Sequence, residues 1–356
     1  MRNNYSHPYF ETIHKISPKI NEYIVNKIIK LNLEKDFEKT VLEISIKRKE
    51  TPIMRANITY LTYKVFGGKD NLQNLMPALA LSELSNQFCY LDNWIFDNKN
   101  NVLDNKEKIS AVVASSAILR ELAQQVIEEI KCSLATKNKI SNLFSVATML
   151  SYQGQLEETQ TNIKTIKQFA SDEDAIKYFE KKAKLLSGQL YGLSFEIGAL
   201  LAKQNKQTCE KLRQLGIIFG TGLHLSNDIG DFAITEFNSF RSYQNQLSDI
   251  FNARLTLPIY YILAYGADEE KRALLQICNN PNPTKKEVEL AVKALITSKA
   301  LIKSKTNLNK YKNEFKNLAL SLPENKYRDA IVSMANTIKV NKYLKSLNQL
   351  SKYYEQ

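Results

Sequence analysis

Oxygen-bearing side chains cluster twice in this sequence, in LHLSNDIGDF (Leu223–Phe232) and in YLDNWIFDN (Tyr90–Asn98). In the first, Asn227 and Asp231 stand four residues apart and share a helix face, with Asp228 beside them. Three such groups on one turn suit a hard cation such as Mg²⁺, which takes one or two protein carboxylates and completes its shell with water and substrate phosphate. In the second, Asn93 and Asp97 repeat the four-residue spacing and Asp92 precedes them. An isolated NDxxD is more often a helix cap or a solvated face. Two such turns, each closing a mostly apolar helix, predict metal ions held between the helices of a bundle.

The elements that must position these turns read as helices throughout. Glycine (11) and proline (8) are sparse for 356 residues, which favours long helices over a turn-rich β fold. Amphipathic periodicity runs from Ile13 to about Ser45, with Ile13, Ile16, Ile20, Ile24, Ile28 and Ile29 near one face. A helix over Ile58–Phe66 ends at Gly67–Gly68, a C-cap signal. Met76–Phe96 reads as one long apolar helix with Pro77 in its first turn. Further helices are predicted over Ile109–Ile130, Ile140–Gln160, Asp172–Ala202, Gln214–Phe232 and Thr256–Tyr265, with Phe237–Asn252 as a loop or lid. The chain is therefore expected to be all-α and a single domain over residues 1–356, roughly a dozen helices around a central cavity. Residues 1–45 supply N-terminal helices, and residues 284–356, after the break at Pro281–Thr284, supply appended Lys-rich ones.

The order of these segments resembles that of a known family, the trans-polyprenyl synthetases of the class I isoprenoid synthase superfamily. The resemblance covers about Arg55 to Ala264. MRANITYLTYKVFGG is similar to the first motif-bearing helix, with Arg55 on the second arginine of GKRxRP, and SELSNQFCYLDNWIFDN is similar to the segment carrying the first DDxxD. QGQLEE looks like GQxxD/E and places Gln155 on its glutamine. SGQLYGLSFEIGALLA is similar to KTxxLxxxxxxxGALLA, LHLSNDIGDF to FQxxDDxxD, and SDIFNARLTLP to SDxxxGKxTLP with Arg254 on the lysine. The resemblance implies an enzyme in which Asp92, Asn93, Asp97, Asn227, Asp228 and Asp231 hold three Mg²⁺ ions. These bind an allylic prenyl diphosphate, whose departing pyrophosphate leaves a carbocation. Arg55, Gln155, Arg254 and Lys184 are the expected substrate-side groups, and a homodimer is the expected assembly. A water-poor apolar cavity would protect the cation, with the faces of Phe88, Tyr90, Trp94 or Tyr191 available to it.

Departures from the pattern bear on the reaction. Pro52 and Ile53 replace the lysine and first arginine of GKRxRP, and DNKNNVLDNKEK lacks the arginine pair that follows the first aspartate motif. Counting back from Gly198 puts Leu186 on the lysine of KTxxL, with Lys184 two residues away. Asn93 and Asn227 stand where aspartates are usual, and His224 replaces a glutamine. A depleted basic shell beside kept metal motifs favours an enzyme that ionises its allylic substrate without adding isopentenyl diphosphate, as in terpene synthases, or that prenylates another acceptor. The alternatives are a short-chain synthase that elongates with isopentenyl diphosphate, its product limited to about C10–C20 by Phe88 four residues before Asp92, and a non-catalytic subunit of a prenyl synthase.

Other classes find less support. The net charge of +12 comes from lysines spread along the chain, without a basic stripe interleaved with aromatics, so nucleic-acid binding is not expected and attraction of a polyanionic small substrate is. No run approaches the ~18 apolar residues of a membrane span. The start MRNNYSHPYF lacks a secretory core. Cys89, Cys132, Cys209 and Cys278 form no CxxC pair, so reduced thiols and a cytoplasmic location are expected.

Overall fold

The structure, a computed structural model, describes residues 8–46, 53–69, 71–97, 99–230, 248–278, 280, 283–298 and 300–338. Among them the regular elements are all helical, with one isolated bridge between Asn162 and Arg254, and the fold is all-α. Lys47, Arg48, Lys49, Pro52, Asp231, Pro281 and most of the expected lid, residues 237–247, lie outside the described residues. The chain divides into two compact units, one built from Met1–Tyr152, Gly188–Ile218 and Phe315–Ala335, the other from Gln153–Ser187, Phe219–Glu314 and Asn336–Gln356.

In the first unit the helices are α1 (Pro8–Ile29), α2 (Lys35–Ile46), α3 (Met54–Val65), α4 (Leu72–Phe96) and α5 (Lys106–Glu129), followed by the first part of α6 (Leu134–Gln160). Later stretches add α8 (Gln189–Leu201), the start of α9 (Lys206–Gly230) and α15 (Lys326–Ser333). α4 is the core element, buried from Leu75 to Leu91 on most sides, against α3, α5 and α8. It begins a turn earlier than the sequence predicts. Asn71 caps it by accepting a hydrogen bond from the Asn74 backbone N–H at 3.1 Å, which leaves Pro77 inside the helix rather than in its first turn. The isoleucine stripe of α1 is buried at Ile13, Ile16, Ile20, Ile24 and Ile28, but Ile29 turns outward at 45% exposure. α3 stops as expected: Gly67 takes φ +78°, and the N–H groups of Gly67 and Gly68 bond back to Lys64 and Tyr63. The buried Thr59 hydroxyl joins three helices, lying 2.7 Å from Ser82 Oγ and donating to the Ser194 carbonyl at 2.9 Å.

The second unit takes the end of α6, α7 (Asp172–Ala183), the end of α9, α10 (Ser248–Phe251), α11 (Leu257–Tyr265), α12 (Asp268–Ile277), α13 (Lys285–Thr297) and most of α14 (Ala300–Leu320). Where the sequence predicts one helix over Asp172–Ala202, the structure has α7, a π turn at Lys184–Gly188, and then α8. The π turn approaches α6 so closely that a Cβ on Gly154 would fall 2.7 Å from the Leu186 backbone nitrogen. An aromatic cluster of Phe169, Tyr178, Phe179 and Tyr260 fills the space between α7 and α11.

Candidate functional site

The first acidic turn is the C-terminal end of α4. Asp92 and Asn93 are half-buried on its last turn, and Asp97 is its C-cap, its N–H bonded to the Asn93 carbonyl at 2.9 Å. The Asp92 carboxylate accepts a hydrogen bond from the hydroxyl of Tyr152 on α6. That phenol is pushed well above its ordinary range by burial first, and also by Cys89 and the bonded Asp92. Burial, reinforced by Asp92, likewise pushes the Cys89 thiol up to about 12. Tyr90 and Trp94 stand edge to face at 6.0 Å on the same stretch.

Arg55 belongs to this unit and is buried at 9% exposure. Its guanidinium sits 4.3 Å from the centroid of the Tyr191 ring, a cation–π geometry. The buried Tyr9 hydroxyl is pushed up by burial and by Tyr191 and Glu83, with Arg55 acting the other way, which places all four in one electrostatic neighbourhood. Phe88 is fully buried and meets Phe144 edge to face at 6.1 Å.

The second acidic turn lies on α9. Asp228 is buried at 8% exposure, whereas Asn227 beside it is exposed; Asp231 lies outside the described residues. The Asp228 carboxyl is pushed up to about 6, by burial first; His224 opposes the shift, Asp249 adds to it, Lys182 opposes it and Glu158 adds to it. Two carboxylates and two bases thus act on it with opposite signs. His224 Nε2 lies 3.7 Å from Glu158 Oε1 and 3.8 Å from Asp228 Oδ1, Lys182 Nζ lies 3.9 Å from Glu158 Oε1, and Arg254 Nη1 lies 3.7 Å from Asp249 Oδ1. Arg254 is held in place through its backbone, which pairs with Asn162 and donates its N–H to the Asp249 carbonyl at 2.8 Å. Gln155 is buried in this unit with its Nε2 lacking a hydrogen-bond partner.

The buried lysine of this cluster is Lys182, which the sequence does not single out. Lys184 is exposed at the start of the π turn, while the side chain of Lys182 is 2% exposed, its ammonium 5.5 Å from the Phe179 ring centroid. The clue lay in the spacing: Glu158 and Lys182 each sit near an apolar helix face, where an unpaired charge would be costly. Glu83, Tyr9 and Tyr152 were also overlooked.

The donor set of carboxylates and carboxamides (Asp92, Asn93, Asp97, Asn227, Asp228) has the oxygen character that Mg²⁺ requires. Crowding of Asp228 by Asp249 and Glu158 in a buried place is an electrostatic load that a divalent cation would relieve. Among the described residues no three carboxylate, imidazole or thiol groups converge on one point.

The chain as a whole has known relatives. The chain is similar to a short chain isoprenyl diphosphate synthase of Methanocaldococcus jannaschii, 23% identical over 248 residues that span 68% of this chain and 71% of the relative. Its fold matches that of a polyprenyl synthase from Caulobacter crescentus, solved with calcium and isoprenyl diphosphate, at a TM-score of 0.74 and 17% identity over 94% of this chain and 98% of that one. A geranylgeranyl pyrophosphate synthetase from Pyrococcus horikoshii gives the same score at 15% identity, over 94% and 99%. Among the described residues no helix is long and apolar enough to cross a membrane. Because the polyprenyl synthetase family pattern runs from residue 99 to residue 295, over half of the sequence, the chain belongs to that family.

Proposed function

We propose that this chain is a short-chain trans-prenyl diphosphate synthase, joining an allylic prenyl diphosphate to isopentenyl diphosphate. The observation that carries this reading is the likeness to a short chain isoprenyl diphosphate synthase over 68% of the chain, within a family of synthases. It reverses the preference drawn from the motif departures. The buried Lys182 supports the reversal, because it returns to the second unit a cation that the sequence comparison counted as missing.

In this reading Asp92, Asp97, Asn227, Asp228 and Asp231 are the Mg²⁺ ligands, with Asn93 supporting. The ions, when bound, neutralise charge on the departing diphosphate. Arg55, Gln155, Arg254 and Lys182 orient the diphosphate groups, Lys182 taking the role expected of the exposed Lys184. The buried ring of Phe88, fixed against Phe144, limits the product to about C10–C20. The working assembly in this reading is a homodimer, the commonest closed assembly of soluble proteins.

A second reading, ionisation without elongation, is favoured by one observation. Ile53 is buried in the core at the position where the family motif carries an arginine. A product assay with Mg²⁺ and geranyl, farnesyl or geranylgeranyl diphosphate, each with and without isopentenyl diphosphate, separates the two. A longer diphosphate formed only when isopentenyl diphosphate is present is the expected result. Pyrophosphate release that is indifferent to isopentenyl diphosphate, with a hydrocarbon or alcohol as product, would replace the first reading by the second.

A further inference from the structure

A cavity of about 480 Å³ opens in the first unit between α1, α3, the start of α4 and α15. Its volume lies in the range of small-molecule sites, about 300–1,000 Å³. It is remote from the acidic turn of that unit: Leu72, in its wall, and Asp92 are twenty residues apart on one helix, or about 30 Å at ~1.5 Å per residue.

The lining divides by chemistry. Ile16, Leu72 and Ala330 form an apolar floor, and the rings of Tyr60 and Tyr327 form a wall, edge to face at 6.3 Å. At the rim stand Lys15 and Lys19, one turn apart on α1, and Lys326 on α15, opposed by Glu11 alone among the acidic residues that line it. The ammonium groups of Lys326 and Lys64 lie 5.3 and 5.4 Å from the Tyr327 centroid, which adds to the positive field. The wall is preformed, because Asn325 Nδ2 donates to the Val65 carbonyl at 2.9 Å and ties the start of α15 to the end of α3.

We propose that this cavity is a second ligand site, taking an amphipathic anion with an apolar body and a phosphate head. The floor and rings fit the apolar body, and three lysines at the mouth fit a phosphate, which gains most from several ammonium groups at once. The site needs no metal and none of the residues assigned to the synthase reaction, so its test is independent of that reading.

The experiment is calorimetric titration of the full chain with dodecyl phosphate, below its micellar concentration and in EDTA, alongside inorganic phosphate and phosphatidylglycerol vesicles. Saturable binding of one dodecyl phosphate per chain is expected, weakened about tenfold or more in Lys15→Glu/Lys19→Glu and by a comparable factor in Lys326→Glu, and falling with added salt. All three lysines are exposed, so the variants should keep the helical circular dichroism of the parent. Asp92→Ala should bind as the parent does. Binding to the vesicles as well would make a lipid headgroup the source of the phosphate, whereas binding to the soluble amphiphile alone would make it a free metabolite. Absence of binding, unchanged affinity in both lysine variants, or loss in Asp92→Ala would overturn the proposal.

Discussion

The two acidic turns carry similar residues in opposite settings. At the end of α4, Asp92 is half-buried and is served by one neutral donor, the Tyr152 hydroxyl; it raises its neighbours Tyr152 and Cys89. On α9, Asp228 is itself the perturbed group, buried among Glu158, Lys182, His224 and Asp249 and pushed up to about 6. One turn is thus a carboxylate with a detachable partner. The other is a nearly balanced charge network in which burial, rather than any single neighbour, sets the cost of ionisation. The same residue types can serve one chemistry while placing very different demands on the fold around them.

The largest expected effect tests whether the turns share a job. Asp92→Ala and Asp228→Ala should each lower kcat/KM for product formation by about 10³-fold or more, roughly 4 kcal/mol of transition-state stabilisation, with helical content retained. Full activity in one of them would remove that turn from the mechanism.

A smaller effect separates their energetics. Burial pushes the folded Asp228 carboxyl from its ordinary 3.8 up to about 6, so the folded state keeps its proton to higher pH. That contribution to stability is intact below about 4 and is lost as pH rises to about 6. Asp228→Asn should therefore be more stable than the parent by up to about 3 kcal/mol above pH 6 in metal-free buffer, with the gap closing below pH 4. Denaturant midpoints measured across this range decide it, and parallel curves would show that the burial cost is not borne by Asp228.

The smallest effect concerns Tyr152. Removing its hydroxyl frees the Asp92 oxygen, so Tyr152→Phe should bind Mg²⁺ a few-fold more tightly, in keeping with the ~1 kcal/mol net worth of a hydrogen bond. Calorimetry reads this directly. Weaker binding in the variant would mean that the tyrosine positions Asp92 instead of competing for it.

Much of this was legible in the residues. The all-α fold, the stop at Gly67 and the placement of Asp92 on a long buried helix follow from periodicity and capping. The choice between Asn227 and Asp228 did not follow from the four-residue rule that paired Asn227 with Asp231. It is set by the apolar stripe of α9, where Leu225, Asp228 and Ile229 turn inward at spacings of three and four. That stripe is visible in the sequence and points to Asp228. Lys182 was harder to see, because counting back from Gly198 assumes an unbroken α-helix, and the π turn at Lys184–Gly188 changes the rotation per residue across that stretch. The charge cluster of Glu158, Lys182 and His224 joins three helices through tertiary packing, which no local pattern reports.

One residue of the first acidic turn has an optical consequence. The chain contains a single tryptophan, Trp94, two positions after Asp92 and edge to face with Tyr90. Excited at the red edge of the protein absorption band, where the 18 tyrosines contribute little, the whole molecule emits from that one turn. The protein thus carries its own fluorescent label at the point where a cation is proposed to arrive, and the event can be watched in solution without attaching anything.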